Sequence, residues 1–468
     1  MTQAAGQAQP PTTVTRFLVL AVVVALALAG FGLYLKSRPA ARRSGAASTP
    51  KSMLCLAGAN TIGAKLAPSL AQAFLQQMGA TQVKVVPGSA SGVETVQGVL
   101  PGATSPSAIE IDGRANWVAF DRLADGSCDI GMSARRINQE EITKLPFMGD
   151  MTSSSNEHVL ALDGIAILVN SANPVAFLTT GQLAGIFSGA ITDWSQVSNT
   201  KGTIVLYAPF ANSATEDGFR SLVLGGGTVA PGVKRTKDMA SVATAVAADR
   251  MGIGFVGSGF VGSARAVPVS ERGTVALLPN HMTIATEDYP LTRRLYLYTP
   301  ASPTNPYVRR FLEYAKSNRG QEVVAAAGFV PQNVVAEEKA TTPENAPPEY
   351  NRLTRGAGRL SLDFRFLPGG AVLDNKAITD INRVVDFMGD LGYGGNNILL
   401  FGFADSSGNP QSNVNLSQAR ARMVADQFIQ LVLKPGLVKG FGAYLPVASN
   451  ETAEGREKNR RVEIWLTK

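Results

Sequence analysis

The sequence predicts a two-lobed α/β domain followed by a smaller α+β domain, with one transmembrane helix ahead of both. From Ser52 to near Gln332, short apolar runs alternate with amphipathic segments, the pattern of a parallel sheet covered by helices on both faces. Farther on, an alternating strand at Leu360–Phe366 and an amphipathic helix at Asp374–Leu391 predict helices on one face of a small mixed sheet. Near the start, Phe17–Leu35 runs for 19 residues without a charge, close to the roughly 20 that a membrane-crossing helix needs.

At 468 residues, the chain is long enough for two or three domains of ordinary size. The predicted segments are a disordered tail over 1–15, a transmembrane anchor over 16–35, a linker over 36–51, the two-lobed domain over 52–335, a Pro-rich linker over 336–358 and the C-terminal domain over 359–468.

The net charge of +7 at pH 7 comes almost entirely from the N-terminal region. Residues 1–51 hold six basic residues and no acidic one, which leaves +1 for everything after them. These basic residues are typical of the flanks of a membrane segment and do not form a nucleic-acid-binding surface, so no nucleic-acid partner is predicted. The two histidines, His158 and His281, lack the spacing of metal ligands, and no cofactor is predicted. No nucleophile, base and orienting group are arranged as an active site requires, so the chain is predicted not to be an enzyme.

The apolar segment is interpreted as an uncleaved anchor rather than a cleaved signal peptide. A signal peptide has a shorter apolar core followed directly by a cleavage site, whereas this run ends in Tyr34 and then Lys36, an interface anchor. The positive-inside rule points the other way, because more basic residues follow the segment than precede it. Long domains translocate despite flanking charge, so the nature of the C-terminal domain decides the side of the membrane.

Asp405 and Arg420 are the first candidate binding residues. Asp405 follows the apolar strand Ile398–Phe403, and Arg420 is expected in the first turns of a helix over Ala419–Leu433. A carboxylate and a guanidinium on one rim suit a zwitterion, because Asp accepts from an ammonium and Arg holds a carboxylate with two parallel hydrogen bonds. On spacing alone, an Asp–Arg salt bridge that closes the loop is the favoured explanation.

Residues 360–468 resemble the OmpA-like peptidoglycan-binding domain. The resemblance rests on Phe403-Ala-Asp405, Asn413-Val-Asn-Leu-Ser-Gln-Ala-Arg-Ala421 and Asn459-Arg-Arg-Val-Glu-Ile464, in this order. It implies that Asp405 and Arg420 hold the amino-acid end of diaminopimelate in the peptidoglycan stem peptide. It also implies that Asn413, Asn459 and Arg460 support that pocket. Ala404 stands where the family usually has Thr, which puts one auxiliary hydrogen bond in doubt. The protein is therefore predicted to be a single-pass inner-membrane protein with its large domains in the periplasm.

Two Gly- and Ser-rich turns of the two-lobed domain predict an anion site. Gly58–Gly63 and Gly88–Val93 are expected to lead from strands into helices, where N–H groups and the helix dipole favour an anion. Ligands of open α/β sheets bind at the carboxyl ends of strands, where such turns lie. From spacing alone, the simpler explanation is that Gly-Ser turns are how strands meet helices.

Residues 52–335 resemble the solute-binding proteins of phosphate uptake systems. The matching stretches are Asp129–Ser133, Asp163–Asn170, Asn173–Val175, Gly181–Gly189 and Asp193–Trp194. The resemblance implies that hydroxyls, N–H groups and an arginine hold phosphate or another small oxyanion, and it names an ABC transporter as a candidate partner. The implied anion-binding residues are Thr61, Ser89, Ser91, Ser133, Ser213 and Thr215.

The two-lobed region also departs from that family. Ala214 replaces a Gly between Ser213 and Thr215, Leu206–Phe210 lacks the usual arginine, and Ala134 replaces an acid found in some members. The cations available to supply the missing charge are Arg135, Arg136 and Arg114. These departures keep a second hypothesis open, in which the protein is an envelope tether or sensor whose two-lobed domain binds no anion and contacts a protein. A wall hydrolase is disfavoured by the scarcity of His and the lack of paired acids.

The two cysteines are Cys55, in the first strand of the two-lobed domain, and Cys128, at the start of another. They are predicted to form either one disulfide, which an oxidising compartment allows, or two buried thiols.

Overall fold

The structure, a computed structural model, describes residues 50–211, 213–338, 342–343, 345–367 and 371–468. The predicted tail over 1–15, the transmembrane anchor over 16–35 and residues 36–49 of the first linker lie outside the described residues. Among the helices of the described ranges, none is long and apolar enough to cross a membrane.

The strands of the described residues are numbered in chain order. They are β1 Lys51–Gly58, β2 Thr81–Pro87, β3 Val93–Val99, β4 Ser107–Asp112, β5 Ile130–Ser133, β6 Glu157–Val169, β7 Leu178–Thr179, β8 Val205–Ala208, β9 Lys234–Arg235, β10 Gly252–Gly257, β11 Arg265–Ala266, β12 Val269–Ser270, β13 Thr292–Tyr298, β14 Ala336–Glu337, β15 Gly358–Arg365, β16 Ile398–Gly402, β17 Leu437–Gly440 and β18 Arg461–Leu466.

The helices are numbered in the same way. They are α1 Asn60–Gly63, α2 Leu66–Gln77, α3 Asn116–Ala124, α4 Gln139–Thr143, α5 Thr180–Ser188, α6 Ala214–Val223, α7 Met239–Ala248, α8 His281–Ala285, α9 Pro306–Lys316, α10 Asn318–Ala326, α11 Pro348–Thr354, α12 Asn375–Leu391, α13 Pro410–Gln430 and α14 Ala453–Asn459.

Two long antiparallel strands, β6 and β13, join the two lobes of the α/β domain. The main sheet runs in the order β2-β3-β4-β1-β5-β13-β6-β10-β8-β9, and β11 also pairs with β6. We call the part built on β1 to β5 lobe 1 and the part built on β8 to β12 lobe 2. The first half of β6 pairs with β13 beside lobe 1, and its second half pairs with β10 in lobe 2. β6 is buried along its whole length, which is why it is an almost continuous apolar run.

Lobe 1 carries a hairpin that the sequence analysis did not predict. Gly88–Val93 was expected to lead from a strand into a helix, but β2 and β3 pair as antiparallel neighbours on either side of this turn. The segment after the turn, Val93–Val99, is rich in β-branched Val and Thr and half-buried, which favours a strand. Ser89 and Ser91 therefore lie on an exposed hairpin turn rather than at the start of a helix.

Lobe 1 also contains a disulfide between Cys55 and Cys128, whose Cα atoms lie 4.7 Å apart. Cys55 lies in β1, and Cys128 precedes β5, the parallel neighbour of β1. The bond therefore ties β1 to the segment that leads into its neighbour β5.

The C-terminal domain is a five-stranded sheet in the order β14-β15-β18-β16-β17. The long helices α12 and α13 cover one face, with Val384 and Phe428 in the core between helices and sheet. The opposite face packs against the short helix α11 through a cluster of aromatic side chains, which are Tyr350, Phe401, Phe403, Phe441 and Trp465.

The Pro-rich stretch over 336–358 was predicted to be an extended spacer, and its described residues differ from this expectation. Residues 336–337 form β14 at the edge of the C-terminal sheet, and α11 brings Tyr350 into the aromatic cluster with 2% of its surface exposed. The Tyr350 hydroxyl donates a 2.6 Å hydrogen bond to Glu463 Oε2. An aromatic residue with a buried polar partner outweighs the extended preference of the flanking prolines, so this stretch is part of the C-terminal domain.

The C-terminal domain packs against both lobes. Towards lobe 1, Asn375 Nδ2 donates to the Thr152 carbonyl at 2.7 Å. Towards lobe 2, Arg359 Nη2 donates to Asp288 Oδ2 at 2.9 Å, and the Ser449 N–H donates to Glu271 Oε2 at 2.6 Å. At β13, between the lobes, Arg294 forms an ion pair with Asp374 at 2.8 Å.

Candidate functional sites

The first candidate site begins at the rim where three parallel strands of lobe 1 end. β4, β1 and β5 are parallel neighbours, so their carboxyl ends meet at one edge. Thr61 lies in α1, directly after β1, and Ser133 is the last residue of β5. Asn116 opens α3, after β4, and its Oδ1 accepts from the Ala134 N–H at 2.8 Å. The rim thus brings Thr61, Asn116 and Ser133 to adjoining positions.

Lobe 2 contributes the start of α6. Ser213 is the N-cap of this helix, and its Oγ accepts from the Glu216 N–H at 3.2 Å. Thr215 lies in the first turn, and its Oγ1 donates to the sulfur of Met239 at 3.6 Å. The side chains of Ser213 and Thr215 are buried. The Asp217 N–H donates to the Ser213 carbonyl, which completes the first turn of the helix.

Arg293, on β13, connects these two groups. Its Nε donates to Asp163 Oδ2 at 2.9 Å, which fixes the guanidinium against β6. Its Nη2 donates to Thr61 Oγ1 at 3.3 Å and to the Ala214 carbonyl at 2.9 Å. One cationic side chain, 10% exposed, therefore touches lobe 1, lobe 2 and the strand pair that joins them.

Gly218 makes room for this guanidinium. A Cβ added at Gly218 would lie 2.6 Å from both Cζ and Nη1 of Arg293, a distance that real Cβ atoms essentially never show. The sequence analysis missed Arg293, although two signals were present. Arg293 and Arg294 interrupt an otherwise apolar strand, and Asp163 interrupts the apolar run of β6.

The arginines that were predicted as anion ligands are each paired with a carboxylate. Arg135 donates to both oxygens of Glu141, at 2.9 and 2.7 Å. Arg114 donates to both oxygens of Asp112, at 2.6 Å each. Arg136 pairs with both oxygens of Glu157 in the same way, at 2.9 and 2.8 Å. A bidentate carboxylate occupies two of the five N–H donors of a guanidinium and leaves three.

The structure thus gathers some of the predicted anion ligands and separates others. Thr61, Ser213 and Thr215 lie around or beside the contacts of Arg293, and Ser133 lies on the adjoining rim, where its Oγ donates to the Arg135 carbonyl at 2.7 Å. Ser89 and Ser91 remain on the exposed hairpin turn. The strand-to-helix turn beside the one after β1 is instead formed by Gly113–Asn116, between β4 and α3.

The second candidate site surrounds Asp405 in the C-terminal domain. Asp405 Oδ1 accepts hydrogen bonds from the N–H of Ser407, at 2.8 Å, and from its hydroxyl. Asp405 Oδ2 accepts from Arg460 Nη1 at 3.2 Å. Burial would raise the pKa of Asp405, but the hydrogen bonds from Ser407 and Arg460 outweigh it and lower that pKa. The carboxylate is therefore charged over the physiological pH range.

Arg420 lies in the middle of α13, because this helix begins at Pro410 rather than at the predicted Ala419. Its side chain is 1% exposed, and its Nη1 donates to the Phe403 carbonyl at 3.3 Å. Burial and the charge of Arg460 lower the pKa of Arg420 to about 10, and the Asp405 carboxylate opposes this shift. Asp405, Arg420 and Arg460 thus form one electrostatically coupled group with a net charge of +1.

Of the two predicted supporting asparagines, Asn459 hydrogen-bonds to loops of this site. Asn459 Oδ1 accepts from the N–H groups of Val447 and Ala448, at 2.9 and 3.1 Å. Asn459 Nδ2 donates to Asn450 Oδ1 at 3.0 Å, and this oxygen also accepts from the Ser406 N–H at 3.0 Å, next to Asp405. Asn413 is buried in the first turns of α13.

Two family models match separate parts of the chain. Residues 114–319 match the model described as a PBP superfamily domain, and residues 365–460 match the OmpA family model. The chain therefore carries a domain of the periplasmic-binding-protein type followed by an OmpA family domain.

Individual relatives fall into the same two groups. The phosphate-binding protein PstS of Pseudomonas aeruginosa is 27% identical over 249 residues, which are 50% of this chain and 76% of that protein. Protein SphX of Synechococcus elongatus is 29% identical over 234 residues, 47% of this chain and 68% of that protein. In the C-terminal part, the probable lipoprotein YiaD of Escherichia coli is 43% identical over 70 residues, 14% of this chain and 32% of that protein. Among solved structures, an ABC-type phosphate transport receptor from Vibrio cholerae is 24% identical and covers 59% of this chain and 99% of its own, with a TM-score of 0.46.

Proposed function

We propose that the protein binds peptidoglycan through its C-terminal domain and a small oxyanion, with phosphate as the first candidate, through its two-lobed domain. Phe17–Leu35 would anchor it in the inner membrane, with the large domains in the periplasm. The inner membrane, the peptidoglycan and an ABC transporter are the partners that this arrangement implies. We assign it a binding role rather than a catalytic one.

The observation that supports wall binding is the coupled group of Asp405, Arg420 and Arg460. Diaminopimelate carries an amino-acid end with one ammonium and one carboxylate. Asp405 offers an acceptor to the ammonium, and Arg420 offers parallel donors to the carboxylate. Arg460, which already donates to Asp405, keeps that carboxylate ionised and in place.

Substituting Asp405→Ala or Arg420→Ala should abolish co-sedimentation of the full chain with purified diaminopimelate-type peptidoglycan, since each change leaves one charge of the ligand unpaired. The matched controls are Asp426→Ala and Arg422→Ala, two exposed positions of the same helix α13, which should sediment like the wild type. Thermal unfolding of every variant checks that the fold survives. Sedimentation of the folded Asp405→Ala protein at the wild-type level would refute the assignment.

The observation that supports anion binding is the position of Arg293. The usual arginine is missing from Leu206–Phe210, and Arg293 on β13 places a guanidinium against Thr61 and the start of α6. Isothermal titration of the full chain with phosphate, sulfate and arsenate tests this half of the proposal. Saturable heat with at least one of these anions is the expected result.

Membrane anchoring is tested separately. A reporter that fluoresces or acts only outside the cytoplasm, fused after Lys468, should be active, and the protein should stay with the membrane fraction after alkaline extraction. A chain that is released by alkali or whose reporter is silent would remove the anchor from the proposal without affecting either binding site.

A second function is favoured by one specific observation, the pairing of the predicted cations with carboxylates. Arg114, Arg135 and Arg136 are each engaged by an acid, and Ala134 offers no acceptor for a protonated phosphate. A two-lobed domain of this kind could serve as an envelope tether or sensor that contacts a protein. The absence of heat with every oxyanion, together with normal wall binding, would favour this second function.

A further inference from the structure

A large cavity lies where the two lobes meet the C-terminal domain. Its volume is about 1140 Å³, and it extends from the lobe 1 rim at Asn116 and Arg135, past Arg293, to Ser449 and Lys458 of the C-terminal domain. Binding sites for organic molecules occupy roughly 300–1,000 Å³. An inorganic phosphate ion, a phosphorus atom with its oxygens, would leave most of this space empty.

The lining of the cavity combines cationic, acidic and uncharged polar side chains. The acidic ones are Asp217, Glu271, Glu451 and Glu454. Arg135, Arg136 and Arg293 are on the wall formed by the lobes. Beyond its carboxylate, Arg135 also donates to the Arg136 carbonyl, and Arg293 to Thr61 and the Ala214 carbonyl, so each uses only part of its five N–H donors. The uncharged polar side chains are Asn116, Thr179, Thr180, Ser221, Ser449 and Thr452. Hydroxyl and amide groups on several sides of a cavity pair with the hydroxyls of a sugar, whereas an apolar ligand would leave them unsatisfied.

Ala134 fits the same ligand class. It lines the cavity at the position where some phosphate-binding relatives of this fold have an acid that accepts a proton from phosphate. Because residue 134 is an alanine, it presents no negative charge to a ligand in the cavity. It also lacks the group that would favour a ligand with a free acidic proton over an ester.

We propose that the cavity binds a phosphorylated sugar, with the phosphate held near Arg293 and the sugar body extending to the wall formed by Ser449, Thr452 and Lys458. This inference rests on the proposed anion function and names its ligand class. It makes the C-terminal domain a part of the ligand site rather than a separate module.

The test is isothermal titration of the full chain with glucose 6-phosphate, inorganic phosphate and glucose. Glucose 6-phosphate should bind at least about tenfold more tightly than inorganic phosphate, and glucose should bind far more weakly than either. Binding of inorganic phosphate without this preference would overturn the inference and leave the proposed oxyanion function standing. Failure of both phosphates to bind would overturn the inference together with the oxyanion half of the proposed function.

A cavity-filling variant locates the sugar body. Ser221 is an exposed residue of α6 that lines the cavity and has no place among the contacts of Arg293. Ser221→Trp should remove the preference for glucose 6-phosphate and leave inorganic phosphate binding within about twofold of the wild type. Ser188→Trp, at an exposed position of lobe 2 outside the cavity lining, is the matched control and should change neither affinity. Unchanged glucose 6-phosphate binding in a folded Ser221→Trp protein would place the ligand elsewhere and overturn the inference.

Discussion

The two candidate sites of this molecule both place a largely buried arginine beside a carboxylate, but they differ in how far apart in the sequence their residues lie. In the C-terminal domain, Asp405, Arg420 and Arg460 all lie within one domain, and Arg460 follows the Asp405 that it contacts by 55 residues. In the two-lobed domain, Arg293 and Thr61 are separated by 232 residues, and both lobes must be in place before the site exists.

This difference determines how each site depends on the fold. The charged groups of the C-terminal site come from the loop after β16, from the residue before β18 and from α13, so all of them belong to one domain. The anion site depends on the meeting of α1, α6 and β13, and a change at any of these elements affects it. A cation placed on β13 is also shared by both lobes, whereas one in the loop before Ser213 would have belonged to lobe 2 alone.

The largest expected effect concerns where the C-terminal region begins. Tyr350→Ala should lower the free energy of unfolding by roughly 3–5 kcal/mol, because it removes a fully buried aromatic ring from the cluster with Phe441 and Trp465. Urea denaturation measures this change. Tyr350→Phe, which loses only the hydrogen bond to Glu463, should cost about 1–3 kcal/mol. If Tyr350→Ala were as stable as the wild type, residues 336–358 would be a spacer, as predicted from the sequence, and not part of the C-terminal domain.

The next effect separates the two sites. Arg293→Ala should weaken oxyanion binding about 100-fold, as expected for the loss of charge-assisted hydrogen bonds, and leave co-sedimentation with peptidoglycan unchanged. Arg294→Ala is not a suitable control, because Arg294 pairs with Asp374 across the domain interface. Arg309→Ala, at an exposed position of α9, serves instead. If Arg293→Ala tightened oxyanion binding, the guanidinium would block the site and would not be a ligand of the anion.

The pH dependence of stability distinguishes the two regions in a third way. Burial and the charge of Lys316 lower the pKa of His158, in β6, to about 3. The unfolded chain takes up a proton at this residue below about pH 6.5 and the folded chain does not, so the stability present above pH 6.5 is lost as the pH falls. Between pH 7 and pH 5, this should cost about 2 kcal/mol, measured by urea denaturation.

The C-terminal site should behave differently over that range. The pKa of Asp405 is lowered in the folded state, so the stability it provides is present above its unfolded value of about 3.9 and is lost only as the pH falls below it. His158→Gln should therefore flatten the pH dependence between 7 and 5, and Asp405→Asn should not. A variant at His158 with the wild-type slope would assign the loss to another group.

The smallest effect is at the start of α6. Ser213→Ala removes the N-cap hydrogen bond to the Glu216 N–H and should lower the free energy of unfolding by about 1 kcal/mol. Ser221→Ala, at an exposed position of the same helix, should change stability by less than about 0.5 kcal/mol. Thermal unfolding distinguishes Ser213→Ala from Ser221→Ala. Equal melting temperatures of these two variants would mean that the N-cap hydrogen bond of Ser213 does not stabilise the fold.

Much of the fold follows from local patterns in the sequence. The strand predicted over Leu360–Phe366 is present as β15, Gly358–Arg365, and the helix predicted over Asp374–Leu391 is present as α12, with Asp374 as its N-cap. Asp405 and Arg420 were candidates because a strand end and the following helix are close in sequence, and their binding role came from the resemblance to the OmpA-like domain.

The missed features share one physical cause, which is dependence on partners distant in the sequence. Gly88–Val93 turns back as a hairpin because β4 provides the edge on which β3 pairs. Tyr350 is buried because Glu463, 113 residues farther along the chain, accepts its hydrogen bond and the aromatic cluster packs around its ring. Arg293 acts at the rim because Asp163 holds it there, and no local spacing connects these residues.

The contact between Glu271 and the Ser449 N–H has a mechanical consequence. The loop over 447–450 is hydrogen-bonded to Glu271 of lobe 2 and to Asn459, which supports the site around Asp405. Asn375 meanwhile fastens the same domain to lobe 1. Because the C-terminal domain is attached to both lobes, the lobes cannot separate without breaking one of these contacts.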